Sequence, residues 1–507
     1  MTRVLMLMIC ALAISTGAAR AQAPDACGKL AALALPQAKV ISAAPVVAGD
    51  FTPPAQATGN ANTVRDLPGF CRVIVNLTPS ADSDIKSEVW LPAKWNGRLE
   101  MIGNGGWAGV ISYNQMGEAI RGGYAGVATD TGHEGNRAIF ALGHPEKVTD
   151  FGYRAVHETV VKAKQVTQSF YGKAPDYSYW NSCSTGGRQA LMEAQRFPGD
   201  FNGIIAGAPA TDMYLLHVAW MWDFHTTHET PQSVIPAAKL PAIQKAAIAA
   251  CDELDGAKDG LISDPLRCRF NPATMICKGA DGLDCLTAAQ AAAVARVYAG
   301  PKTKAGKSVF PGNEPGSEFG WGFHSGETLP GQPPRDTLGY AIYGDANWDY
   351  RTFELETALA DAKKADGGRV AATNPDLSGF FGRGGKLLMY HGWHDPNIPP
   401  RNTIAYYQSA VAKNGGLAKT YDRMRLFMLP GMGHCGGGYG PNQFDAMGAI
   451  SSWVEESKAP ETITARRETA GKVERTRPLC PYPQVARYSG SGSLDEEKNF
   501  RCVKPAA

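Results

Sequence analysis

The sequence predicts an α/β fold in which a mostly parallel sheet is interrupted by an inserted domain. The chain has 507 residues, which is long for one ordinary domain of roughly 100–200 residues, and 44% of its residues are hydrophobic. Strand-like and helix-like segments alternate over residues 85–206 and again over 386–456, as in βαβ units. Fifty basic and 48 acidic side chains leave a formal charge of +2, so neither nucleic acid nor an anionic membrane is an expected partner.

The N-terminus has the features of a secretory signal peptide over residues 1–21. Its apolar run, residues 4–14, is too short to span a bilayer and is followed by small residues. Ala19 and Ala21 form a cleavage pattern, so we expect the mature chain to begin near Gln22. No later stretch is long and apolar enough to cross a membrane. We therefore expect a secreted or periplasmic protein, and no obligate protein partner is evident.

The alternating strands and helices that predict the sheet lie in two separate regions of the chain. In the first part, the sequence predicts strands and helices in turn, with strands over 87–91, 98–102, 124–129, 176–180 and 203–206, and helices over 155–171 and 187–196. In the second part, it predicts strands over 386–390 and 424–428 and helices near 402–414 and 443–456. Between the two parts, residues 210–375 are predicted to form the inserted domain, because they combine four cysteines, helical pieces over 236–254 and 287–298, and a Pro/Gly-rich stretch.

One short segment has the pattern of a serine nucleophile. The residues from Trp180 to Arg188, WNSCSTGGR, follow a predicted strand and precede a predicted helix, which is the context of a nucleophile elbow. Small residues allow the sharp turn that would lift the hydroxyl of Ser184 clear of the sheet. Of the two glycines in the G-x-S-x-G pattern, Gly186 is present and Ser182 stands in place of the other.

Two later segments supply the partners that such a serine needs. The sequence HGWHDP places Asp395 in a loop after a strand, and LPGMGH does the same for His434. The chain order Ser, Asp, His is that of α/β-hydrolases. The sequence therefore predicts an α/β-hydrolase domain built from residues 22–209 and 376–507, in which Ser184 is the nucleophile, His434 the base and Asp395 the residue that orients the base.

An oxyanion that develops during acyl transfer requires backbone N–H donors. One is expected from Thr185, the residue after the nucleophile. The other is expected from the glycine-rich loop 104–107, where either Gly105 or Gly106 would serve and Gly106 is preferred.

Other histidines offer an alternative chemistry. His391 and His394 could form a zinc site together with Asp395, so a zinc-dependent hydrolase is an alternative mechanism. His133 also follows a strand, but it precedes the serine in the chain and is interpreted as structural support. His225 and His228 lie one helical turn apart in the insert and are expected to line it or its surface.

The cysteines point to an oxidising compartment. Of eleven cysteines, Cys10 lies in the predicted signal peptide, and the ten that remain are expected to form five disulfides. Local pairs are expected at Cys251/Cys268, Cys277/Cys285 and Cys480/Cys502. Cys183 precedes Ser184, Cys435 follows His434, and neither has a near neighbour. If these two are paired, their Cα atoms lie about 5.5–6 Å apart, and the bond would clamp nucleophile and base together.

The motifs Cys-Ser-Thr-Gly-Gly-Arg, His-Gly-Trp-x-Asp and Pro-Gly-Met-x-His-Cys resemble those of the tannase and feruloyl esterase family. The family includes the fungal enzymes of both names and a bacterial mono(2-hydroxyethyl) terephthalate hydrolase, and the resemblance covers nearly the whole mature chain. It implies a disulfide between Cys183 and Cys435 and a lid formed by the insert. It also implies hydrolysis of small aromatic esters of the hydroxycinnamoyl or galloyl type. A terephthalate monoester hydrolase, an acyltransferase and a non-catalytic calcium-dependent binding protein are the alternatives.

An acidic segment of the insert is a candidate metal site. Asp252, Asp255 and Asp259 are crowded among Asp-Gly turns, and carboxylate and carbonyl oxygens are ligands that suit calcium. The spacing differs from that of an EF-hand, and a solvated acidic turn is the alternative. The family resemblance implies a structural Ca²⁺ site here, with carbonyl ligands from Ala257 and Leu261.

An aromatic substrate requires an apolar cleft with a few polar anchors. The candidates for its lining within the insert are Trp220, Trp222, Trp321, Tyr343 and Trp348.

Overall fold

The computed structural model describes residues 24–54, 64–323 and 328–505. The predicted signal peptide lies outside the described residues. Within those ranges, none of the helices combines the length and the apolar character that a membrane-spanning helix needs.

A nine-stranded mixed sheet forms the centre of the molecule. Its strands, numbered along the chain, are β1 Ala38–Val46, β2 Phe70–Leu77, β3 Ile85–Pro92, β4 Arg98–Ile102, β5 Ala125–Thr129, β6 Tyr177–Cys183, β7 Gly203–Gly207, β8 Lys386–Gly392 and β9 Met424–Leu429. Their spatial order is β1-β2-β3-β5-β4-β6-β7-β8-β9. The pairs from β1 to β5 in this order are antiparallel, and all pairs from β5 to β9 are parallel. The segments that contain Ser184, Asp395 and His434 therefore follow the carboxyl ends of parallel strands, namely β6, β8 and β9.

Fourteen α-helices occur in the part of the chain that the structure describes. They are α1 Pro24–Lys29, α2 Tyr113–Arg121, α3 Pro145–Thr149, α4 Ala155–Tyr171, α5 Thr185–Arg196, α6 Met213–Thr227, α7 Leu240–Cys251, α8 Ala288–Ala299, α9 Gln332–Asp336, α10 Leu355–Asp366, α11 Ser378–Gly382, α12 Pro400–Lys413, α13 Leu417–Thr420 and α14 Ala446–Glu456. Apolar faces of α4, α5 and α12 pack on one side of the sheet, whereas α2 and α14 cover the other side. The parallel strands are buried on both faces, which explains their short, continuously apolar sequences.

The main sheet is interrupted after β7 and resumes at β8. The intervening residues contain α6 to α11. The apolar cluster around α7 and α8 consists of insert residues alone, whereas the cluster around α6 and α10 also contains Trp107, Ala138 and Phe151 of the hydrolase part. The helix expected over 236–254 is shorter, because residues 237–239 and 252–255 form 3₁₀ turns at either end of α7. The helix expected over 443–456 begins only at Ala446, where the side chain of Asp445 caps its N-terminus.

Two small antiparallel sheets follow the main sheet in sequence. One pairs β10 Ile463–Thr469 with β11 Lys472–Leu479, and the other pairs β12 Val485–Tyr488 with β13 Phe500–Val503. Through Arg475 and Arg477, β11 reaches the acidic segment of the insert. The C-terminal part of the chain thus contacts both the hydrolase sheet and the insert.

Five disulfide bonds link the described residues. The three local pairs expected from the sequence are confirmed: Cys251–Cys268, Cys277–Cys285 and Cys480–Cys502. A fourth bond, Cys27–Cys71, ties α1 to β2. The fifth joins Cys183 to Cys435 across a sequence separation of 252 residues, with the two Cα atoms 5.9 Å apart.

Candidate active site

Ser184 occupies the sharp turn between β6 and α5. Its φ of 66° and ψ of −123° are unusual for a residue with a side chain and are typical of a nucleophile elbow. A Cβ atom at Gly186 would lie 1.9 Å from the Oγ of Ser182, so glycine is required at 186 because serine stands at 182. The missing first glycine of the pattern leaves the elbow intact, since Ser184 still has the φ and ψ of such a turn.

The three residues expected to form a triad lie in one hydrogen-bonded row. His434 Nε2 is 2.9 Å from Ser184 Oγ, and His434 Nδ1 is 2.7 Å from Asp395 Oδ2. Because Nδ1 donates to the carboxylate, Nε2 of the neutral ring is left to accept the serine proton. A Cβ atom at Gly392, at the end of β8, would lie 2.4 Å from the Met432 carbonyl oxygen. This close approach brings the loop of Asp395 against the loop of His434.

The carboxylate of Asp395 is fully buried and fully hydrogen-bonded. Its Oδ1 accepts from the backbone amides of Asn397 and Ile398, at 2.8 and 3.0 Å. Burial alone would raise its pKa, but the charge of His434 and hydrogen bonds from His391 and His434 hold the pKa below its ordinary value. Asp395 is therefore ionised at neutral pH. Its charge and hydrogen bond in turn raise the pKa of His434, although burial of the ring acts in the opposite direction.

His391 is a second support of Asp395 that the sequence did not identify in this role. Its Nε2 donates to Asp395 Oδ2 at 3.0 Å and to the Ile398 carbonyl at 2.9 Å, while its Nδ1 accepts from the Thr403 hydroxyl at 2.8 Å. The positions of the three side chains contradict the zinc alternative. Among the described residues, the ligand atoms of His391, His394 and Asp395 do not converge within 4.8 Å of one another. His394 is instead buried against the backbone of Gly316.

The loop predicted to bind the oxyanion lies beside the start of α5. The hydroxyl of Thr185 donates to the Gly106 carbonyl at 2.9 Å, which joins the two segments directly. No acceptor among the described residues takes a hydrogen bond from the backbone N–H of either Thr185 or Gly106. The amide of Gly105 likewise has no acceptor there, so the protein engages none of these three amides and this criterion does not separate Gly105 from Gly106. Gln189 holds the loop from α5, since its Oε1 accepts from the Asn104 amide at 3.1 Å.

His133 supports the same loop from the opposite side. Its Nε2 donates to the Trp107 carbonyl at 2.7 Å, and its ring stacks on Phe140 with centroids 3.8 Å apart. Burial lowers the pKa of His133 to about 4, so the ring stays neutral at physiological pH. These contacts are those of a structural residue. The Trp107 indole also donates to the hydroxyl of Thr337, at 2.9 Å, which ties the loop to the insert.

The insert contacts the loops that contain Asp395 and His434. Trp220, expected as a cleft residue, donates from its indole nitrogen to the carbonyl of Asn397, two residues after Asp395. Phe319, which the sequence did not indicate, lies against Gly433, where a Cβ atom would be 3.1 Å from its ring. The residue is 36% exposed, so an apolar group could reach it from solvent.

The other candidate aromatics have different positions. Trp321 is completely buried in the α7–α8 cluster, so its assignment to a substrate cleft is wrong. Tyr343 and Trp348 pack against each other on the α6–α10 cluster, whereas Trp222 is partly exposed on α6. His225 and His228 lie at the C-terminal end of α6, and both are partly buried.

The acidic segment of the insert folds into a loop stabilised by its own carboxylates. Asp252 Oδ1 accepts from the backbone amides of Asp259, Gly260 and Leu261, at 3.1 to 3.3 Å. Asp259 is also paired with the buried guanidinium of Arg477. Two of the three carboxylates are thus already engaged by protein donors.

Asp255 is the exception in this loop. Its Oδ1 accepts from the Ala257 amide at 2.9 Å, but its buried Oδ2 has no hydrogen-bond partner, and neither has the buried hydroxyl of Ser263. Burial raises the pKa values of Asp255 and Asp259. A cation would relieve both effects. In this part of the described chain, however, the ligand atoms of the three aspartates do not all lie within 4.8 Å of one another.

Comparison with known proteins places these features in a family. A model described as tannase and feruloyl esterase matches residues 71–328 and 337–503. An uncharacterised esterase of Xanthomonas campestris is 40% identical over 95% of this chain and 92% of its own length. A probable feruloyl esterase B-1 of Aspergillus oryzae is 34% identical over 89% of this chain and 87% of its own length. The crystal structure of feruloyl esterase B from Aspergillus oryzae has a TM-score of 0.89 and 32% identity, and covers 95% of this chain and 100% of that one.

Proposed function

The chain belongs to the tannase and feruloyl esterase family and is a carboxylic ester hydrolase, and from this premise we propose that it cleaves aromatic esters with Ser184 as nucleophile. The observation that carries the proposal is the row of hydrogen bonds from Ser184 through His434 to Asp395. Such a row on a strained strand-to-helix turn is the geometry of serine acyl transfer.

The reaction begins when Ser184 Oγ attacks the ester carbonyl and His434 Nε2 takes the serine proton. Asp395 holds the ring in the tautomer that leaves Nε2 free, and its charge stabilises the imidazolium that forms. His434 then protonates the leaving alcohol, and the acyl group remains on Ser184. A water that His434 deprotonates releases the acid and restores the serine.

We assign the oxyanion to the backbone amides of Thr185 and Gly106. Both are without a described acceptor, and the hydrogen bond between the Thr185 hydroxyl and the Gly106 carbonyl fixes one segment relative to the other. Removal of one such donor costs on the order of 10²–10³ in rate in a serine hydrolase, so the positions of these amides contribute substantially to the rate.

The proposed substrate is a small ester with an aromatic acyl group. The names of the relatives favour feruloyl esters. Phe319 provides an exposed aromatic surface beside the loop of His434, and Trp220 connects the insert to the loop of Asp395. We propose that the aromatic ring of the substrate stacks near Phe319, beside the loop of His434.

We propose in addition that the acidic loop holds a structural Ca²⁺ ion. Asp252, Asp255 and Asp259 would contribute carboxylate oxygens, and Ala257 and Leu261 carbonyl oxygens, a donor set that suits a hard cation. The unpartnered Oδ2 of Asp255 supports this assignment. The ion would stabilise the insert and take no part in the chemistry.

We further propose that the protein is exported. The signal-like composition of residues 1–21 and the five disulfides support this location, because disulfides persist in oxidising compartments. Sequencing the N-terminus of the protein recovered from the periplasm and the culture medium tests it. A mature chain beginning near Gln22 is the expected result.

Hydrolysis of methyl ferulate, methyl gallate and mono(2-hydroxyethyl) terephthalate tests activity and substrate class together. We expect turnover of an aromatic ester and its loss in Ser184→Ala, by about 10⁴–10⁶ in kcat, with an unchanged circular dichroism spectrum. Ser178→Ala is a matched control, because it removes a serine hydroxyl from the same strand at the end away from the elbow. Activity of Ser184→Ala near that of the wild type would contradict the proposed mechanism.

A further inference from the structure

A second group of metal-ligating side chains lies on the hydrolase domain, away from the active site. A ring nitrogen of His157, a carboxylate oxygen of Glu193 and one of Asp200 all lie within 4.8 Å of one another. His157 is in the first turn of α4, Glu193 is in the last turn of α5, and Asp200 is in the turn before β7. Three separate segments therefore bring one potential ligand each to the same point.

Glu193 is the unusual member of this group. Its side chain is buried, with 1% of the residue exposed, and neither of its carboxylate oxygens has a hydrogen-bond partner. Burial and the neighbouring Asp200 carboxylate raise the pKa of Glu193, although the charge of Lys164 acts in the opposite direction. An ionised Glu193 at this position is therefore costly unless a further positive charge compensates it. Lys164 and Arg383 are the positive groups nearby, but Lys164 donates to the Asp200 carbonyl and Arg383 packs against Gly199. Neither of these cations satisfies Glu193.

The other two side chains are held in place around Glu193. His157 Nδ1 is 2.6 Å from Asp200 Oδ2, and the imidazole stacks on Phe197 with an interplanar angle of 9°. The His157 side chain is 28% exposed and that of Asp200 is 12% exposed, so an ion could enter from solvent. Glu193 makes no hydrogen bond of good geometry to Asp200, yet the two carboxylates are near enough to bind one ion.

We propose that His157, Glu193 and Asp200 bind a divalent transition-metal ion, with Zn²⁺ as the best match. One imidazole nitrogen and two carboxylate oxygens are ligands that zinc accepts, whereas calcium prefers oxygen ligands alone. Water would complete a four-coordinate site. The ion would connect α4 to the C-terminal end of α5. Glu193 lies about 13 Å along α5 from Ser184. We therefore expect the ion to affect stability rather than ester cleavage.

The test uses the full mature protein, freed of metals by a chelator and kept in excess Ca²⁺. Isothermal titration with Zn²⁺ should show one site in the wild type. Glu193→Gln and Asp200→Asn should each bind Zn²⁺ at least about tenfold more weakly, because each loses a charged ligand. His144→Ala is the matched control. His144 is paired with Asp82 at 3.0 Å on the surface, and its loss should leave the affinity unchanged.

Two further measurements distinguish a zinc site from a buried carboxyl group that is merely protonated or hydrated. Zn²⁺ should raise the Tm of the wild type but not that of His157→Gln, a variant at a partly exposed position that keeps the buried carboxylates. Co²⁺ should give the visible absorption bands of a tetrahedral site in the wild type only. Absence of Zn²⁺ binding by the wild type, or equal binding by wild type and Glu193→Gln, would overturn the proposal. Glu193 would then be neutralised by a proton or hydrated by a trapped water.

Discussion

Two loops of this molecule are built on buried aspartates, and they satisfy their carboxylates in different ways. Asp395, in the loop after β8, receives hydrogen bonds from two backbone amides and two histidines. Asp255, in the acidic loop of the insert, receives one hydrogen bond at Oδ1 and none at Oδ2. The first loop is complete without any added group, whereas the second has a buried carboxylate oxygen without a hydrogen-bond partner, which a cation would engage.

We interpret this difference as a difference in function between the two loops. A carboxylate that must orient a base needs fixed donors, because its position has to persist through every turnover. A carboxylate that binds a structural ion needs lone pairs that the protein leaves free. We therefore expect changes in the first loop to affect rate and changes in the second to affect stability.

The largest effect in this comparison is expected for Asp395→Asn. Loss of the charge should lower kcat by about 10⁴, as for the equivalent change in another serine hydrolase. His434 must be neutral to accept a proton, and Asp395 raises its pKa, so wild-type kcat/KM should rise with pH through a pKa above the ordinary value of about 6.5. In the Asp395→Asn variant, the rise of kcat/KM with pH should occur at a lower pH than in the wild type. A pH series of kcat/KM measures both effects.

Asp366→Asn is the control for that experiment. Asp366 is also buried, but within the described residues its carboxylate accepts from the backbone amides of Gly368, Val370 and Ala371, just after α10. Its replacement should leave the pH profile in place. A profile of Asp395→Asn that coincides with the wild type would show that Asp395 does not act on His434.

A smaller effect on rate is expected when the Cys183–Cys435 bond is removed. The bond joins the neighbours of nucleophile and base, and a misplacement of about 1 Å can cost on the order of a hundredfold in rate. Replacing both cysteines with alanine should therefore lower kcat about 10²-fold when it is measured well below the Tm. Replacing Cys277 and Cys285, a local pair within the insert, should leave kcat unchanged. Full turnover without the first bond would assign it to stability alone.

The smallest effect on rate, and the clearest on stability, is expected for Asp255→Asn. Added Ca²⁺ should raise the Tm of the chelated wild-type protein, because a ligand that binds only the folded state stabilises it. The variant should lose this increase and keep its kcat. Thermal unfolding with and without Ca²⁺ measures the first effect, and ester hydrolysis below the Tm measures the second. If Ca²⁺ leaves the wild-type Tm unchanged, the loop is only an acidic turn.

Much of the fold can be predicted from local sequence patterns. The sequence predicts the strand over 98–102 and the helix over 155–171 with the bounds that the structure has, because each has a clear apolar period and a glycine after it or at its cap. It does not predict β1 and β2. The first is a largely exposed edge strand that contains Pro45, so its sequence has no clean alternation. Nor does it predict α6, because this helix is apolar on all sides.

The residues of the candidate site can be predicted only where they belong to short sequence motifs. Ser184, Asp395 and His434 follow strands in a characteristic order, so the sequence names them together. The hydrogen bond from His391 to Asp395 depends on how the loop folds back after β8. The pairing of Asp259 with Arg477 joins residues 218 positions apart, and Phe319 lies in a segment without periodicity. Such contacts arise from tertiary packing and leave no local signal.

Direct detection of an acyl group on Ser184 tests the central claim most closely. Methyl ferulate mixed with a stoichiometric amount of enzyme, quenched in acid within milliseconds and digested with protease, should yield the peptide containing Ser184 with one feruloyl group added. The same experiment with Ser184→Ala should yield no acylated peptide. A wild-type enzyme that hydrolyses the ester with no acyl group on Ser184 at any quench time, or with the group on another residue, would contradict the mechanism proposed for this chain.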